Sequence, residues 1–119
     1  MPDGFHLRYL PDGCLEFVLG DPVLRGLVVA EHVALRLGPV DVVLFAPFDL
    51  IRDGTGHVVD TGDPPTLAPV VTLVRGVVRW LVATHDGGLT VEFVAGERLV
   101  VPGPVVARTW AVGAASGGR

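Results

Sequence analysis

The stretch His85–Pro102, HDGGLTVEFVAGERLVVP, decides how this chain is read. From Leu89 it runs Leu, Thr, Val, Glu, Phe, and after Ala95, Gly96 and Glu97 it resumes as Arg98, Leu99, Val100, Val101. Apolar side chains fall on alternate positions, which is the period of a strand, because successive strand residues point to opposite faces. His85 to Gly88 supply residues that accept turn conformations, and Ala95 to Glu97 form a second short connection, as the hairpin turns of a meander require. The polar residues of the stretch then read as scaffolding. Asp86 and Glu97 belong to turns, and Glu92, between Val91 and Phe93, faces water.

The pattern occurs twice. Val33–Pro47, VALRLGPVDVVLFAP, repeats it: Leu35 and Leu37 stand where Val91 and Phe93 stand, Gly38 and Pro39 turn the chain, and Val43 and Phe45 match Leu99 and Val101. Gly26–Val29 introduces the first copy and Gly76–Arg79 the second. The expectation is a mainly β (α+β) fold in which two three-stranded antiparallel meanders, about 26–47 and 76–102, form a small sandwich or partly open barrel of six to eight strands. FHLRYLPDGCLEFVLG, around Pro11, Asp12 and Gly13, adds an N-terminal hairpin closed by Asp21 and Pro22. Between the copies Leu67, Val70, Val71 and Val74 recur at helical spacing, which predicts one short helix near Leu67–Arg75 with Thr66 as its N-cap and Gly76 past its end. The rival is a strand over Pro69–Val82, since the segment is rich in β-branched residues. The expected core is Val28, Leu35, Leu37, Phe45, Leu67, Val71, Val78, Phe93, Leu99 and Val101. Residues 1–113 read as a single β-rich domain and 114–119, AASGGR, as a disordered tail.

Composition narrows the function. A net charge of −4 offers nucleic-acid phosphates no electrostatic footprint. The absence of a secretory leader or a long apolar run argues against export and the membrane and for the cytoplasm. Cys14, the single cysteine, excludes an internal disulfide and reads as a small hydrophobe in a hairpin strand. The chain has no Lys, Asn or Gln. That is the codon choice of a very GC-rich genome such as an actinobacterial one, so its all-Arg positive set is no sign of selection for anion binding.

Candidate chemistry is sparse. The segment Arg52–Asp63, RDGTGHVVDTGD, gathers Asp53, His57, Asp60 and Asp63, but lacks the ligand spacing of a calcium loop and the third glycine of a dinucleotide fingerprint. His6, His32, His57 and His85 form no paired zinc motif, and Cys14 needs a His from elsewhere in the fold before it could act as a nucleophile. No catalytic residue, metal ligand or cofactor is expected. Ligand or partner contacts are expected at Arg79, His85, Trp110, Asp60 and His57. Trp80 and Trp110 are expected to plug the core or the seam between the meanders.

The run LTVEFVAGERLVVPG followed by ARTW, with VVLFAPFDLIRDG before it, resembles an uncharacterised actinobacterial family of small β-rich proteins, a domain of unknown function. Phe93, Gly96, Leu99, Val101 and Trp110 match its F-x-D-G-x-x-L-x-V and E-A-W pattern, and Pro47 and Phe48 match its "PF" pair. Ala95 replaces the turn Asp, and Arg108 and Thr109 replace the Glu and Ala before the Trp. The resemblance spans Leu27–Val112 and implies no particular activity.

Three functions remain: a non-enzymatic interaction or accessory protein, a small-ligand binder or enzyme with an apolar pocket between the meanders, and a structural subunit of a homo-oligomer. The first leads. Half the residues are hydrophobic and only 18% are charged, against about 25% in an average domain, so the surface carries apolar area and the chain is expected to bind itself, as a homodimer or higher, and possibly another protein. Val40–Phe45 and Arg98–Val101 are expected to be free strand edges.

Overall fold

The computed structural model describes residues 4–104 and 107–114. Among them eleven strands, not six to eight, occur in the order β1 (Phe5–Tyr9), β2 (Leu15–Leu19), β3 (Gly26–Val29), β4 (Val33–Leu37), β5 (Val40–Leu44), β6 (Phe48–Arg52), β7 (Thr55–Val59), β8 (Val78–Ala83), β9 (Leu89–Phe93), β10 (Arg98–Val101) and β11 (Trp110–Ala114). They build a seven-stranded sheet, β1-β2-β8-β9-β10-β6-β7, and a four-stranded one, β11-β5-β4-β3. Both expected meanders form, β3–β4–β5 in the small sheet and β8–β9–β10 in the large one. Neither sheet closes on itself, so the fold is a sandwich.

The core lies between the inner faces, where Leu35, Leu37, Val42 and Leu44 of the small sheet oppose Leu81, Val91, Phe93 and Leu99 of the large one. Strands β4 and β9 alternate buried and half-buried residues as the sequence implies. Strand β5 corrects the repeat by one position. The two-residue turn at Gly38 and Pro39 sets Val42 opposite Leu35 and Val40 opposite Leu37, so 40, 42 and 44 face inward and Val43 faces out. A one-residue slip exchanges the two faces of a strand; the counterparts of Leu99 and Val101 are therefore Val42 and Leu44. Phe45 is only half-buried, edge-on to His32. The same register shows why Val28 is exposed: Leu27 lies opposite Leu35 and turns inward, leaving Val28 outside.

The helix begins earlier and is shorter than expected. A 3₁₀ turn, Pro64–Leu67, runs into a single α turn, α1 (Ala68–Val71), and Arg75 in the left-handed region (φ 78°) ends the segment. Thr66 lies inside the 3₁₀ turn, where its Oγ1 accepts from the Asp60 N–H, rather than capping a helix. Four β-branched residues among Val70–Val74 resist further winding. Val70 and Leu73 supply the buried contacts, Leu67 is half-buried, and Val71 is exposed.

Two strand regions had no counterpart in the sequence reading. The segment Arg52–Asp63 contains most of a hairpin, β6–β7, turned by Asp53 (φ 52°) and Gly54 (φ 77°). Positive φ at both positions marks a type I′ turn. Strand β11 pairs with β5, and β6 pairs with β10, so the expected edges at Val40–Phe45 and Arg98–Val101 are interior strands. The free edges of the two sheets are β1, β7, β3 and β11. Ala114 closes β11, and the rest of the expected tail, 115–119, lies outside the described residues. Among the described residues no helix is long and apolar enough to cross a membrane.

Candidate functional site

The five expected contact residues do not converge. Arg79 is the extra residue where β8 and β9 lose register between Val78 and Trp80, and its guanidinium lies 5.9 Å from the Trp80 ring centroid. His57 is exposed on the edge strand β7. Asp60 follows it in a turn: its Oδ1 accepts the Gly62 N–H (2.9 Å) and its own N–H donates to Thr66 (2.8 Å). These three serve turns and surface, with Arg79 on β8 well removed across the large sheet from His57 and Asp60 at β7. His85 and Trp110 do share a locality. Trp110 Nε1 donates to the Gly87 carbonyl at 2.8 Å and its ring meets Phe17 edge-on at 5.9 Å, so this Trp clamps β11 of the small sheet to β2 and the β8–β9 turn of the large one. Trp80 corrects the other half of that expectation, standing 38% exposed on the outside of the large sheet.

That outside is the most distinctive surface. Register partners across the sheet give one row, Glu16–Val82–Thr90–Val100–Asp49–Val58, and a second, Trp80–Glu92–Arg98–Ile51. Four of the six side chains in the first row and two of the four in the second are uncharged. Of the charges, Glu16 is ion-paired to Arg8 on β1 and is itself buried, Asp49 is exposed, and Glu92 and Arg98 stand opposite each other in the ladder. The small sheet covers only the inner face. A hollow of about 430 Å³, bordered by Cys14, Thr84, His85, Thr90, Val100 and Pro102, opens along this face, and a second of about 140 Å³ at Pro47, Asp49 and Val58 shares Val100 and Pro102 with it. Where the small sheet meets the β6–β7 hairpin near Val33, Leu44, Phe48 and Val59 the gap is only about 30 Å³, whereas a further hollow of about 340 Å³ lies beside Trp110, bordered by Gly87, Pro104, Arg108 and Val112.

At one end of the larger hollow two turns meet. Asp12 and Cys14 come from the β1–β2 turn and His85 from the β8–β9 turn, and a carboxylate oxygen, the thiol sulfur and an imidazole nitrogen lie within 4.8 Å of one another. The pairing of β2 with β8 brings the turns together. Gly13, at φ 86°, lets the His85 ring lie against its backbone: a Cβ there would stand 2.7 Å from Cε1. Cys14 N–H donates to Asp12 Oδ1 (3.0 Å). That bond, first among the causes, holds the Asp12 carboxyl below its ordinary range. Desolvation, and then a hydrogen bond to Asp12, push the Cys14 thiol up. A thiol pushed up is a poorer nucleophile, since the thiolate is the reactive form. On the other side of His85, the Asp86 carboxyl is lowered by the Thr84 hydroxyl and the Gly88 N–H, which fix the turn. The cluster was invisible in sequence because its members stand on separate hairpins.

No curated protein and no solved structure matches the chain. A family model described as a family of unknown function, DUF6188, matches residues 19–119, which takes in the last residue of β2, both meanders, the β6–β7 hairpin, β11 and His85 but not Asp12 or Cys14. The match covers most of the chain, and the protein belongs to the DUF6188 family.

Proposed function

We propose that this protein works by association rather than catalysis, and that its partner is a second copy of the same chain seated on the outer face of the seven-stranded sheet. The observation that carries the reading is the make-up of that face: Val82, Thr90, Val100, Ile51 and Val58 run across it, Trp80 stands proud of it, and the small sheet lies on its other side. Indole and valine left in water are what association removes. Charge arrangement favours a second copy. In a two-fold interface a residue i meets j while j meets i. Glu92 and Arg98, side by side at the middle of the face, satisfy that rule by crossing to each other's partners.

Area sets the strength. Seven strands of about five residues present a face about 30 Å by 17 Å, roughly 500 Å² on each copy, which together only just reach the ~1,000 Å² expected of a specific interface. The dimer is therefore weak and reversible. Sedimentation velocity across the micromolar range on the intact chain is expected to show mass rising from 12.5 kDa toward twice that value, and Val58→Glu and Trp80→Glu to hold the protein monomeric with an unchanged circular dichroism spectrum. Val28→Glu, at the exposed β3 edge, is expected to leave the dimer intact. A monomer at every concentration, or a dimer that ignores both outer-face variants, overturns the proposal. Dimerisation lost only with Val28→Glu assigns association to the edge of the small sheet instead.

A further inference from the structure

We propose that Asp12, Cys14 and His85 form a binding site for a borderline-soft divalent transition metal of the zinc class, with a fourth position open toward the apolar hollow beside it. The donor set is the first argument. One cysteine sulfur, one imidazole nitrogen and one carboxylate oxygen, all within 4.8 Å, are the ligand types that zinc takes, and they come from two hairpin turns. With metal–ligand bonds of about 2.0–2.3 Å, a tetrahedral site has ligand atoms roughly 3.5 Å apart, so side-chain rotations that close the cluster by about 1 Å suffice.

Charge and packing point the same way. Binding replaces the S–H bond of Cys14 by a sulfur–metal bond and releases one proton to solvent, while His85 ligates as neutral imidazole and Asp12 through the oxygen not engaged by the Cys14 N–H. The two charges of the cation are then met by one thiolate and one carboxylate, and the site is neutral. A neutral complex suits a half-buried cysteine on the border of an apolar hollow lined by Thr90, Val100 and Pro102. The close approach of His85 to Gly13 is the third argument. The backbone leaves no room for a side chain beneath the ring, and the imidazole is held over the turn that carries the other two donors. Three protein ligands and a vacant fourth position distinguish open zinc sites from closed structural ones. Cys14 and His85 themselves border the hollow, so the occupant expected there is water or an anionic or thiol group of a small molecule lying along Val100.

The test uses the untagged chain and Co(II), which reports thiolate ligation and geometry in its absorption spectrum. One Co(II) per chain is expected, with a thiolate-to-cobalt band in the near ultraviolet, visible bands of tetrahedral intensity, and loss of the spectrum on adding Zn(II). Cys14→Ser should abolish the charge-transfer band. His85→Ala and Asp12→Asn should each weaken binding by more than the roughly 10–100-fold that loss of an outer-shell partner costs. Asp12→Asn is the discriminating variant, because Asn still accepts the Cys14 N–H and preserves the turn while removing the charged donor. Absence of a thiolate band in the wild-type protein overturns the proposal. So does a band that survives His85→Ala and Asp12→Asn with unchanged affinity, which would mean adventitious binding by the thiol alone.

Discussion

Trp110 joins the two sheets, and deleting its side chain tests the sandwich directly. Trp110→Ala removes three contributions. The hydrogen bond to the Gly87 carbonyl, 2.8 Å long, contributes about 0.5–1.5 kcal/mol net, with the low end applying at a seam that solvent reaches. The edge-on pair with Phe17 at 5.9 Å adds about 0.5–1.5 kcal/mol. The ring is only half-buried, so about half of the roughly 3–5 kcal/mol lost when a core aromatic is truncated applies. The expected loss is about 2.5–4.5 kcal/mol, a large share of the ~5–15 kcal/mol that holds a domain together. At roughly 4 °C per kcal/mol the melting temperature falls by about 10–18 °C. Trp80→Ala, which forfeits a cation–π contact with Arg79 at an exposed site, is expected to cost about 1 kcal/mol or less. Urea unfolding followed by circular dichroism at a fixed low micromolar concentration measures both. If Trp110→Ala costs no more than Trp80→Ala, the indole does not clamp the sheets and the argument from its partners is wrong.

Other expectations follow from the same geometry. Val42→Asp, at a position with no exposure, should unfold the domain by at least about 4 kcal/mol, whereas Val43→Asp, one residue on and facing outward, should cost about 1 kcal/mol; thermal melts of the pair check the register of β5. Gly54→Val forces a β-branched residue to φ 77° and should cost about 1–3 kcal/mol, while Asp53→Asn should be neutral. Asp41→Ala strips the Arg36 guanidinium of two bonds of 2.9 and 3.1 Å; because Arg36 reaches water, the loss should be about 1–2 kcal/mol rather than that of a fully buried pair. In tryptophan fluorescence the Trp80→Phe protein, which retains Trp110, should emit further to the blue and resist quencher better than the Trp110→Phe protein.

The meanders were legible because both carry period-two alternation with one face fully buried. That pattern is strong for β4 and β9, whose inward residues Leu35 and Val91 are inaccessible to solvent. It failed where both faces are apolar. Strand β5 reads Val, Asp, Val, Val, Leu, and nothing in that run says whether 42 or 43 turns inward. The register is set by the length of the Gly38–Pro39 turn, which sequence alternation does not encode. The β6–β7 hairpin was missed for a different reason. Its second strand, Thr55–Val59, is exposed over four of five residues and so lacks an apolar face, but the Asp53-Gly54 pair between two short runs is a hairpin signal in its own right. Strand β11, Trp110–Ala114, reads Trp, Ala, Val, Gly, Ala, too small and mixed to announce itself, and exists because β5 offers it an edge.

The site was less legible than the fold, and the difference is one of contact order. Each expected contact residue was chosen for its own chemistry, and only His85 lies where chemistry gathers. What makes that place is the pairing of β2 with β8, which joins the N-terminal hairpin to the second meander through Leu15–Ala83 and Glu16–Val82. This pairing sets Asp12 and Cys14 beside a histidine from the other half of the chain. The same pairing adds β1 and β2 to one side of the meander, while the β10–β6 pairing adds β6 and β7 to the other, and together they give the wide outer face at whose centre Trp80, Val82 and Val100 stand. The Asp–Cys–His cluster and that end of the groove thus share one long-range contact. A change that opens the β2–β8 seam, such as Ala83→Pro, which removes the β8 backbone donor facing Leu15 of β2, should therefore impair self-association and metal binding together, whereas Val58→Glu at the far edge should impair association alone.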